Sequence, residues 1–418
     1  MMYFLVRQYI VIKVYKSYIF YMIFMQNSKQ KEVLKNMRVI LAPDSFKGTM
    51  TSEHVIDILK EALEEIFGSC EITKIPIADG GEGTVDSLVK VLNGKYEYVE
   101  VCNPIEETVH AKYGIVNEDT AVVEMAEASG LPLVPEHKRN PLKTTSYGTG
   151  QILKSVLDKG FQNIIVAIGG SATNDGGTGA MSALGARFLD ENGNELKTNG
   201  ENLIHIRDID LSGMHPRTKE CNIIVMCDVD NPILGEYGAT YIYGPQKGGT
   251  EKQLLYLEEG MKNYVSVLKK KFGTDVSKIP GSGAAGGISA ALMLFANAKL
   301  QSGIKIILDT IHFKEMLRET DLVVTGEGRL DGQSVRGKVL YGIGMACKEQ
   351  GVPAIAVVGS IGNGGDEICN YGIRAVIPII DAPMNLKTAM ERSDELLRKA
   401  AIRAFKLIEI GTEIENEE

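Results

Sequence analysis

The chain has 418 residues, of which 44% are hydrophobic and 24% are charged. This length predicts two domains, because a single hydrophobic core rarely grows past about 250–300 residues. The formal net charge of −9 comes without a basic patch interleaved with aromatic residues, which argues against nucleic-acid binding. The six cysteines form no C-x-x-C pair, a pattern typical of a reduced, cytoplasmic protein.

Residues 1–36 differ in composition from the rest and are dense in Tyr, Ile, Phe and Met. Their longest uncharged piece, Ser17 to Ser28, is too short for a membrane span, which needs about 20 residues. No small-residue cleavage site follows it, which disfavours a signal peptide. We interpret residues 1–36 as an extension outside the domains, upstream of a working start at Met37, with a weak interfacial anchor as the alternative.

The chain after Met37 opens with a strand–helix–strand–helix pattern. Arg38–Ala42 and Ile72–Ile77 are apolar strand-like runs, and apolar residues recur at helical spacing after each of them, over 55–66 and 85–92. Such alternation predicts a parallel sheet whose loops gather at the carboxyl ends of the strands.

The pattern changes at Tyr96. Three strand-like segments follow with only short polar turns between them, which predicts antiparallel strands and a second domain. These segments are Tyr96–Val101, Val109–Val116 and Thr120–Met125. The second domain then continues through a helix near 150–157, strand Ile223–Cys227 and helix Glu251–Phe272.

Helix–strand alternation returns from Gly286. The predicted elements are an apolar helix to Phe295, strands Lys305–Leu308 and Asp321–Thr325, helix Gly337–Lys348, strands Ala354–Val358 and Ala375–Ile379, and a final helix from Leu386 to about Leu407. We therefore predict an α/β fold of two domains. A discontinuous parallel-sheet domain comprises 37–95 and 288–410, an inserted α/β domain with antiparallel strands comprises 96–287, and an acidic tail covers 411–418.

The most informative stretch runs from Asn163 to Gly179. Ile164–Ile168 is a buried-type strand, and the eleven residues after it include five glycines. A glycine loop between a strand and a helix start is typical of an anion site, because backbone N–H groups can approach a phosphate closely. The alternative is a long turn, but a turn alone does not need Ser171, Thr173, Asn174 and Asp175 among the glycines.

Other glycine-rich loops contain charged residues at strand ends or helix starts. These residues are Asp44 and Lys47, Asp79 and Glu82, Asp228 and Asp230, Lys247, and Glu327, Arg329 and Asp331. Any single one has an ordinary alternative, a solvated loop charge. Together they provide carboxylates for Mg²⁺ or a hydroxyl proton, cations for phosphate oxygens and glycines for close backbone approach, which are the components of phosphoryl transfer.

Seven motifs in order make the chain resemble the class I bacterial glycerate kinases, from about Met37 to the final helix. The motifs are Ala42-Pro-Asp-Ser-Phe-Lys47, Ala78-Asp-Gly-Gly-Glu-Gly-Thr84, Gly169-Gly-Ser-Ala-Thr-Asn-Asp-Gly-Gly177, Cys227-Asp-Val-Asp-Asn-Pro232, Gly244-Pro-Gln-Lys-Gly248, Gly281-Ser-Gly-Ala-Ala-Gly-Gly287 and Thr325-Gly-Glu-Gly-Arg-Leu-Asp331. The resemblance implies ATP-dependent phosphorylation of D-glycerate on a two-domain α/β fold with the domains facing across a cleft.

Residue type suggests a role for each candidate. Asp228 is the predicted general base, with Asp79 and Asp331 as substitutes. Cationic side chains would neutralise phosphate or carboxylate charge, namely Lys47, Lys247 and Arg329, and the Mg²⁺ candidates are Glu327 and Asp230. The remaining substrate- or ATP-binding candidates are Asp44, Ser45, Gly169, Gly170, Ser171, Thr173, Asn174, Asp175, Gly281, Gly283, Gly286 and Gly287.

Two alternatives to a glycerate kinase remain open from the sequence. One is a kinase of another small hydroxy acid, and the other is a non-catalytic sensor of a phosphorylated acid. The expected ligands are ATP, Mg²⁺ and glycerate, with no nucleic-acid or membrane partner. Homo-oligomerisation and the choice between the 2- and 3-hydroxyl of glycerate are left undecided.

Overall fold

The computed structural model describes residues 37–77, 83–332, 334 and 338–415. The chain forms two compact units. Of the described residues, the first unit contains 37–76, 313–336 and 343–415, and the second contains 77–312 and 337–342. The predicted extension, residues 1–36, and the candidate Asp79 lie outside the described residues.

The first unit is built on a five-stranded, fully parallel sheet in the order β13-β12-β11-β1-β2. Its strands are β1 (Arg38–Leu41), β2 (Glu71–Lys74), β11 (Leu322–Glu327), β12 (Ala354–Val358) and β13 (Ile373–Pro378). Val39 pairs with Leu322 on one side and with Ile72 on the other. The prediction that the first strand and the strand near 321–325 share one sheet is therefore confirmed.

The helices of this unit are α1 (Ser52–Phe67), α10 (Phe313–Leu317), α11 (Val339–Gln350, whose first residues are grouped with the second unit), α12 (Leu386–Glu391) and α13 (Ser393–Glu415). Apolar side chains of α1 and α13 share one core with strands β1, β11 and β12. The Thr51 side chain accepts a hydrogen bond from the backbone N–H of His54 and so caps α1. The single final helix predicted from Leu386 is in fact two helices, because Arg392 leaves helical geometry at φ −105° and ψ 12°.

The second unit contains a mixed six-stranded sheet in the order β10-β9-β6-β5-β4-β3. Its strands are β3 (Lys95–Cys102), β4 (Thr108–Ile115), β5 (Thr120–Glu124), β6 (Asn163–Ala167), β9 (Asn222–Met226) and β10 (Lys299–Gln301). The β3–β4 and β4–β5 pairs are antiparallel, and the other pairs are parallel. The predicted antiparallel portion is confirmed, as is the two-unit α/β fold class.

A short antiparallel pair and a set of helices complete the second unit. The pair is β7 (Arg187–Leu189) with β8 (Asp208–Asp210). The helices are α2 (Thr84–Val91), α3 (Ala126–Ser129), α4 (Tyr147–Asp158), α5 (Thr178–Ala183), α6 (Ala239–Tyr243), α7 (Glu251–Phe272), α8 (Ile288–Ala296) and α9 (Gly303–Thr310). No helix among the described residues of either unit is long and apolar enough to cross a lipid bilayer.

The unit boundaries differ from the predicted domain boundaries at both ends of the insertion. Helix α2 was predicted to lie in the first domain, but a Cβ added to Gly114 of β4 would lie 2.6 Å from the Val89 side chain of α2. The second unit therefore begins at residue 77 rather than 96. It also extends to residue 312 rather than 287, because β10 pairs with β9.

The predicted strand Lys305–Leu308 is wrong, since these residues belong to helix α9. Ile304, Ile307 and Leu308 are buried at helical spacing. In a short apolar run, however, the sequence pattern of a buried helix cannot be told from that of a buried strand. Asp228 favours the helix over a strand. Its Oδ1 accepts a hydrogen bond from the Gly303 N–H at 2.9 Å and so satisfies one of the backbone donors at the start of α9. The deciding side chain lies 75 residues away in sequence.

Candidate functional site

The glycine-rich loop after β6 is held by hydrogen bonds along most of its length. Gly170 has φ +72° and its carbonyl accepts a hydrogen bond from the Leu131 N–H at 2.8 Å. The Ala172 N–H donates to the Ser129 carbonyl at 2.9 Å, and the Thr144 hydroxyl donates to the Ala172 carbonyl at 3.1 Å. The loop is therefore a fixed element of the second unit.

Asp175 is fully buried within this loop and accepts four hydrogen bonds. Its Oδ2 accepts from the Ser146 N–H and hydroxyl, both at 2.8 Å, and from the Gly179 N–H at 3.2 Å. Its Oδ1 accepts from the Gly177 N–H at 3.0 Å. Burial raises the pKa of Asp175, and these hydrogen bonds act in the opposite direction. Some of the backbone N–H groups that the sequence predicted to bind a phosphate therefore donate to Asp175 instead.

Lys247 lies beside the same loop with only 2% of its surface exposed. Its Nζ donates to the Ser171 hydroxyl at 3.0 Å and to the Thr173 carbonyl at 2.7 Å. Burial lowers the pKa of Lys247 to about 7, and the charge of Asp175 opposes that shift. The sequence predicted a lysine that contacts ligand, whereas the structure places its ammonium inside the protein.

Two other polar side chains of the loop are also buried, but they differ from Asp175 and Lys247 in their hydrogen bonding. Within the described part of the chain, Thr173 Oγ1 and both side-chain polar atoms of Asn174 have no hydrogen-bond partner. Leaving a buried donor or acceptor unpaired costs about 1–3 kcal/mol, so native proteins rarely do so without a use for the group. These atoms fit the predicted role of Thr173 and Asn174 as ligand-binding groups.

The loop 281–287 packs between the two loops that follow β6 and β9. A Cβ added to Gly286 would lie 2.1 Å from the Thr173 carbonyl oxygen, and one added to Gly283 would lie 2.1 Å from the Pro232 carbonyl oxygen. The Gly286 carbonyl accepts a hydrogen bond from the Gly176 N–H at 2.9 Å. The structure thus brings Gly286 of the predicted loop 281–287 next to the predicted residue Thr173, and close backbone packing is the reason for Gly283 and Gly286.

The carboxylates after β9 are exposed. Asp228 receives the hydrogen bond from Gly303 that begins α9, and Asp230 lies two residues further along the same loop. Gly281 lies next to this loop, because a Cβ added there would be 3.0 Å from Cys227 Sγ. The predicted base Asp228 is therefore anchored through one oxygen and is accessible to a small molecule.

In the first unit, two carboxylates lie at the carboxyl ends of the neighbouring strands β1 and β11. Asp44 and Glu327 each have 7% of their surface exposed. The Asp44 N–H donates to the Gly326 carbonyl at 2.8 Å, and Asp44 Oδ1 accepts from the Ser45 N–H at 2.6 Å. A Cβ added to Gly328 would lie 3.4 Å from the backbone nitrogen of Lys47, so the loop after β1 and the loop after β11 are in contact.

Exposed charges lie on the same pair of loops. The Arg329 side chain is 71% exposed, and its Nε lies 3.5 Å from Asp331 Oδ2. Lys47 is also exposed. Strand β1 lies between β11 and β2, so the strand order reverses here, and ligands of open α/β sheets bind outside the carboxyl ends of strands at such a switch point.

A third glycine-rich loop at this edge, residues 359–365, was missed by the sequence analysis. A Cβ added to Gly359 would lie 2.1 Å from the Gly328 carbonyl oxygen, and one added to Gly362 would lie 3.2 Å from Asp331 Cβ and 3.5 Å from Arg329 Nε. The signal was present, since four glycines follow the apolar strand β12. None of its residues is charged, and Asp366 comes only after its end, which is why it was not selected.

Glu124, at the end of β5, was also missed. It is 3% exposed, and its carboxylate accepts hydrogen bonds from the Gly83 N–H at 3.1 Å and the Val85 N–H at 3.2 Å. Burial raises the pKa of Glu124 to about 7, and these two hydrogen bonds oppose the shift. Glu124 therefore anchors the end of the Asp79 motif and the start of α2. A single glutamate after an apolar strand gave no sequence signal of this role.

The Mg²⁺ candidates Glu327 and Asp230 belong to the first and the second unit respectively. Among residues 37–77, 83–332, 334 and 338–415, no three His, Cys, Asp or Glu side chains form a cluster able to hold a metal ion. Mg²⁺ usually needs only one or two carboxylates together with substrate phosphates and water. The pair Asp44 and Glu327 fits that requirement in the first unit.

Comparison with known proteins shows the family of this chain. The family description "Glycerate kinase family" matches residues 39–409. The chain is 44% identical to a glycerate kinase of Halalkalibacterium halodurans over 87% of its own length and 96% of the relative, and 42% identical to a glycerate 2-kinase of Escherichia coli over 90% and 99%. It superimposes with a TM-score of 0.79 on the crystal structure of a protein assigned as glycerate kinase 2 from Salmonella typhimurium LT2, at 39% identity and with 90% and 100% of the two chains covered. The chain therefore belongs to the glycerate kinase family.

Proposed function

We propose that this protein transfers the γ-phosphoryl group of ATP to D-glycerate in the cytoplasm. The main observation is the placement of Lys47, Arg329, Asp44 and Glu327 around the carboxyl ends of β1 and β11, in a chain of the glycerate kinase family. Phosphoryl transfer needs charge neutralisation and positioning more than covalent chemistry, and these side chains suit both needs. The six free cysteines support the location.

The first unit provides the cations of the proposed reaction. Lys47 and Arg329 are exposed, so both side chains are accessible to the phosphate or carboxylate oxygens of a ligand. Charge-assisted hydrogen bonds of this kind are about twice as strong as neutral ones. We assign both side chains to binding the anionic groups of ATP or glycerate, and Asp331 to orienting Arg329.

Carboxylates are assigned to the metal and to the proton. Glu327, with Asp44 beside it, would hold Mg²⁺, which when bound neutralises charge on the phosphates. Asp230 stays a second candidate for the metal. Asp228 is assigned as general base for the glycerate hydroxyl, because it is exposed and one of its oxygens is already fixed by Gly303. Asp331 and Asp79 are its substitutes.

The second unit would provide the ligand-binding loop. Thr173 and Asn174 contribute buried polar atoms, and Ser171, Gly169 and Gly170 form the loop around them. For the acceptor hydroxyl we propose the 2-position, which gives 2-phosphoglycerate. The support is the similarity to the Escherichia coli relative, whose name is glycerate 2-kinase.

A coupled ADP-release assay with D-glycerate, L-glycerate and related small hydroxy acids tests this function. We expect ADP release with D-glycerate and loss of most of that activity in the variants Lys47→Met and Arg329→Met, mainly through a higher KM. The exposed Lys252 of α7 is a matched control, and Lys252→Met should keep full activity. Release with another hydroxy acid alone would indicate a different kinase. Ligand binding without any ADP release would indicate a sensor.

A further inference from the structure

Lys247 is unusual because a lysine is almost never fully buried unless it is paired. It ends a short 3₁₀ turn, Pro245–Lys247, and its Nζ hydrogen-bonds only to the glycine-rich loop in the contacts of the described residues. Those two contacts are separated by one residue, so they fix both the Ser171 side chain and the Thr173 backbone. The ammonium thus acts as an internal clamp on residues 171–173.

Backbone of the loop 281–287 also packs against this segment. Gly286 approaches Thr173 so closely that a Cβ there would lie 2.1 Å from the Thr173 carbonyl oxygen, the same oxygen that accepts from Lys247. Asp175, two residues further on, is held by four hydrogen bonds and its charge acts on Lys247. The segment is therefore constrained by three sets of contacts, with Lys247, with Gly286 and through Asp175.

This arrangement determines where the Thr173 hydroxyl and the Asn174 amide lie. Both are buried and lack partners within the described residues, which makes them the groups of the loop that suit a ligand. Lys247 itself is 2% exposed, and two of its three donors are used by the loop. Direct contact with a phosphate would require breaking those bonds.

We propose that Lys247 is a positioning residue: its buried amine fixes residues 171–173 through the Ser171 hydroxyl and the Thr173 carbonyl, and it does not touch ATP or glycerate. The inference rests on the proposed function only in that the loop 169–175 is taken to bind one of these ligands. It replaces the sequence-based role of Lys247 as a ligand for phosphate. The clamp itself can be measured without catalysis.

Hydrogen–deuterium exchange of the unliganded protein provides that measurement. Lys247→Met keeps the length of the side chain and removes its donors, so amides of 169–177 should exchange about tenfold faster or more, the factor for losing a hydrogen bond to a charged group. Ser171→Ala removes one acceptor and should accelerate the same amides by a smaller factor. Lys252→Met, an exposed lysine, is the control and should leave the loop unchanged.

A double variant and kinetics separate a clamp from a direct contact. If Lys247 acts through Ser171, exchange in Lys247→Met combined with Ser171→Ala should be no faster than in Lys247→Met alone. In Lys247→Met, KM for ATP or for D-glycerate, whichever binds to the loop 169–175, should rise together with the rate of amide exchange. A higher KM with unchanged exchange would overturn the proposal in favour of direct ligand contact, and unchanged exchange with unchanged KM would overturn it entirely.

Two further outcomes are decided by the same experiment. If Lys247→Met does not fold, Ser171→Ala alone decides: faster exchange of 169–177 supports the clamp, and unchanged exchange overturns it. Absence of glycerate-dependent ADP release by the unsubstituted protein would contradict the proposed function, while the exchange result would still stand. The two failures are therefore distinguishable.

Discussion

The loop after β6 and the loops after β1 and β11 share one sequence signature, glycines with charged residues at a strand end, but they use it differently. In the second unit, Asp175 and Lys247 are 0% and 2% exposed and bind other parts of the protein. In the first unit, the Arg329 side chain is 71% exposed and Lys47 is exposed as well. The region around the loop after β6 buries its charges, whereas the loops after β1 and β11 expose their cations and bury the carboxylates Asp44 and Glu327.

The difference teaches that a charged residue in a glycine-rich loop can have either of two physical roles. A buried charge loses its hydration and must be compensated by hydrogen bonds or an opposite charge, so it stabilises one loop conformation. An exposed cation keeps its hydration until a ligand arrives and is then available for anion binding. The loops after β1 and β11 are therefore suited to bind phosphate, and the buried charges around the loop after β6 are suited to hold a ligand-binding loop in place.

The largest expected effect concerns Asp228. It is an exception to this comparison because it is an exposed carboxylate in the second unit. Asp228→Asn keeps the oxygen that accepts from Gly303 but removes the proton acceptor, so we expect kcat to fall by about 10²–10⁴-fold with KM for glycerate changed little. Steady-state kinetics measures both constants. Asp309→Asn, an exposed carboxylate on α9, should have no effect. Near-normal kcat in Asp228→Asn would move the base assignment to Asp331 or Asp79.

The next effect tests whether the buried loop depends on close backbone packing. Gly286 has φ +73°, and a Cβ there would meet the Thr173 carbonyl oxygen at 2.1 Å, so Gly286→Ala should lower the free energy of unfolding by about 2–4 kcal/mol. Urea denaturation measures the change. Gly273, at the end of α7, has φ +72° with nothing within 4 Å of an added Cβ. Gly273→Ala should therefore cost only the backbone strain, about 1–2 kcal/mol. Equal losses in the two variants would refute the packing argument.

A pH dependence tests another buried carboxyl group of the second unit, Glu124. Its pKa is raised from 4.5 to about 7, so the folded state favours the protonated form. Its contribution to stability is fully present below about pH 4.5 and is lost as pH rises through about 7, up to about 3 kcal/mol in total. The difference in unfolding free energy between Glu124→Gln and the unsubstituted protein should follow that curve between pH 4 and 8. A pH-independent difference would mean that the pKa of Glu124 is not raised.

The smallest expected effect concerns the exposed region. Gly362 lies under Arg329 and Asp331, so Gly362→Val should displace these side chains and cost about 1 kcal/mol of binding, or roughly a fivefold higher KM. The fold should tolerate the change better than the Gly286 variant because an exposed arginine can move. In an Arg329→Met background the Gly362 substitution should add nothing. An equal effect in both backgrounds would show that Gly362 does not act through Arg329.

The sequence predicted the elements whose signal is local. β-branched apolar runs gave the strands, as in Ile164–Ile168 against the observed Asn163–Ala167, and helix Glu251–Phe272 was predicted with its observed bounds. Residues Lys305–Leu308 were misassigned because four consecutive residues fit either period, and the deciding contact, Asp228 to Gly303, is not local. Local patterning thus gives the type of an element only when the element is long enough.

The candidate site was predicted in residue type more than in role. The charged loop residues at the ends of β1 and β11 were found, because strand ends in a parallel sheet gather at one edge. The burial of Lys247 and Asp175 was not foreseen, since it depends on how α4, the 3₁₀ turn at 245–247 and the loop 281–287 pack around them. Glu124 was missed for the same reason, whereas the loop that contains Gly362 was missed because none of its residues is charged.

Phosphorus NMR of a reaction containing the protein, ATP, Mg²⁺ and D-glycerate tests the central claim most directly, because it identifies the product and its phosphorylated position together. We predict disappearance of the ATP γ-phosphate signal only when D-glycerate is present, with growth of ADP and of a 2-phosphoglycerate signal. A 3-phosphoglycerate signal would contradict the proposed position alone. An unchanged ATP spectrum with D-glycerate present would contradict the assignment of this protein as a glycerate kinase.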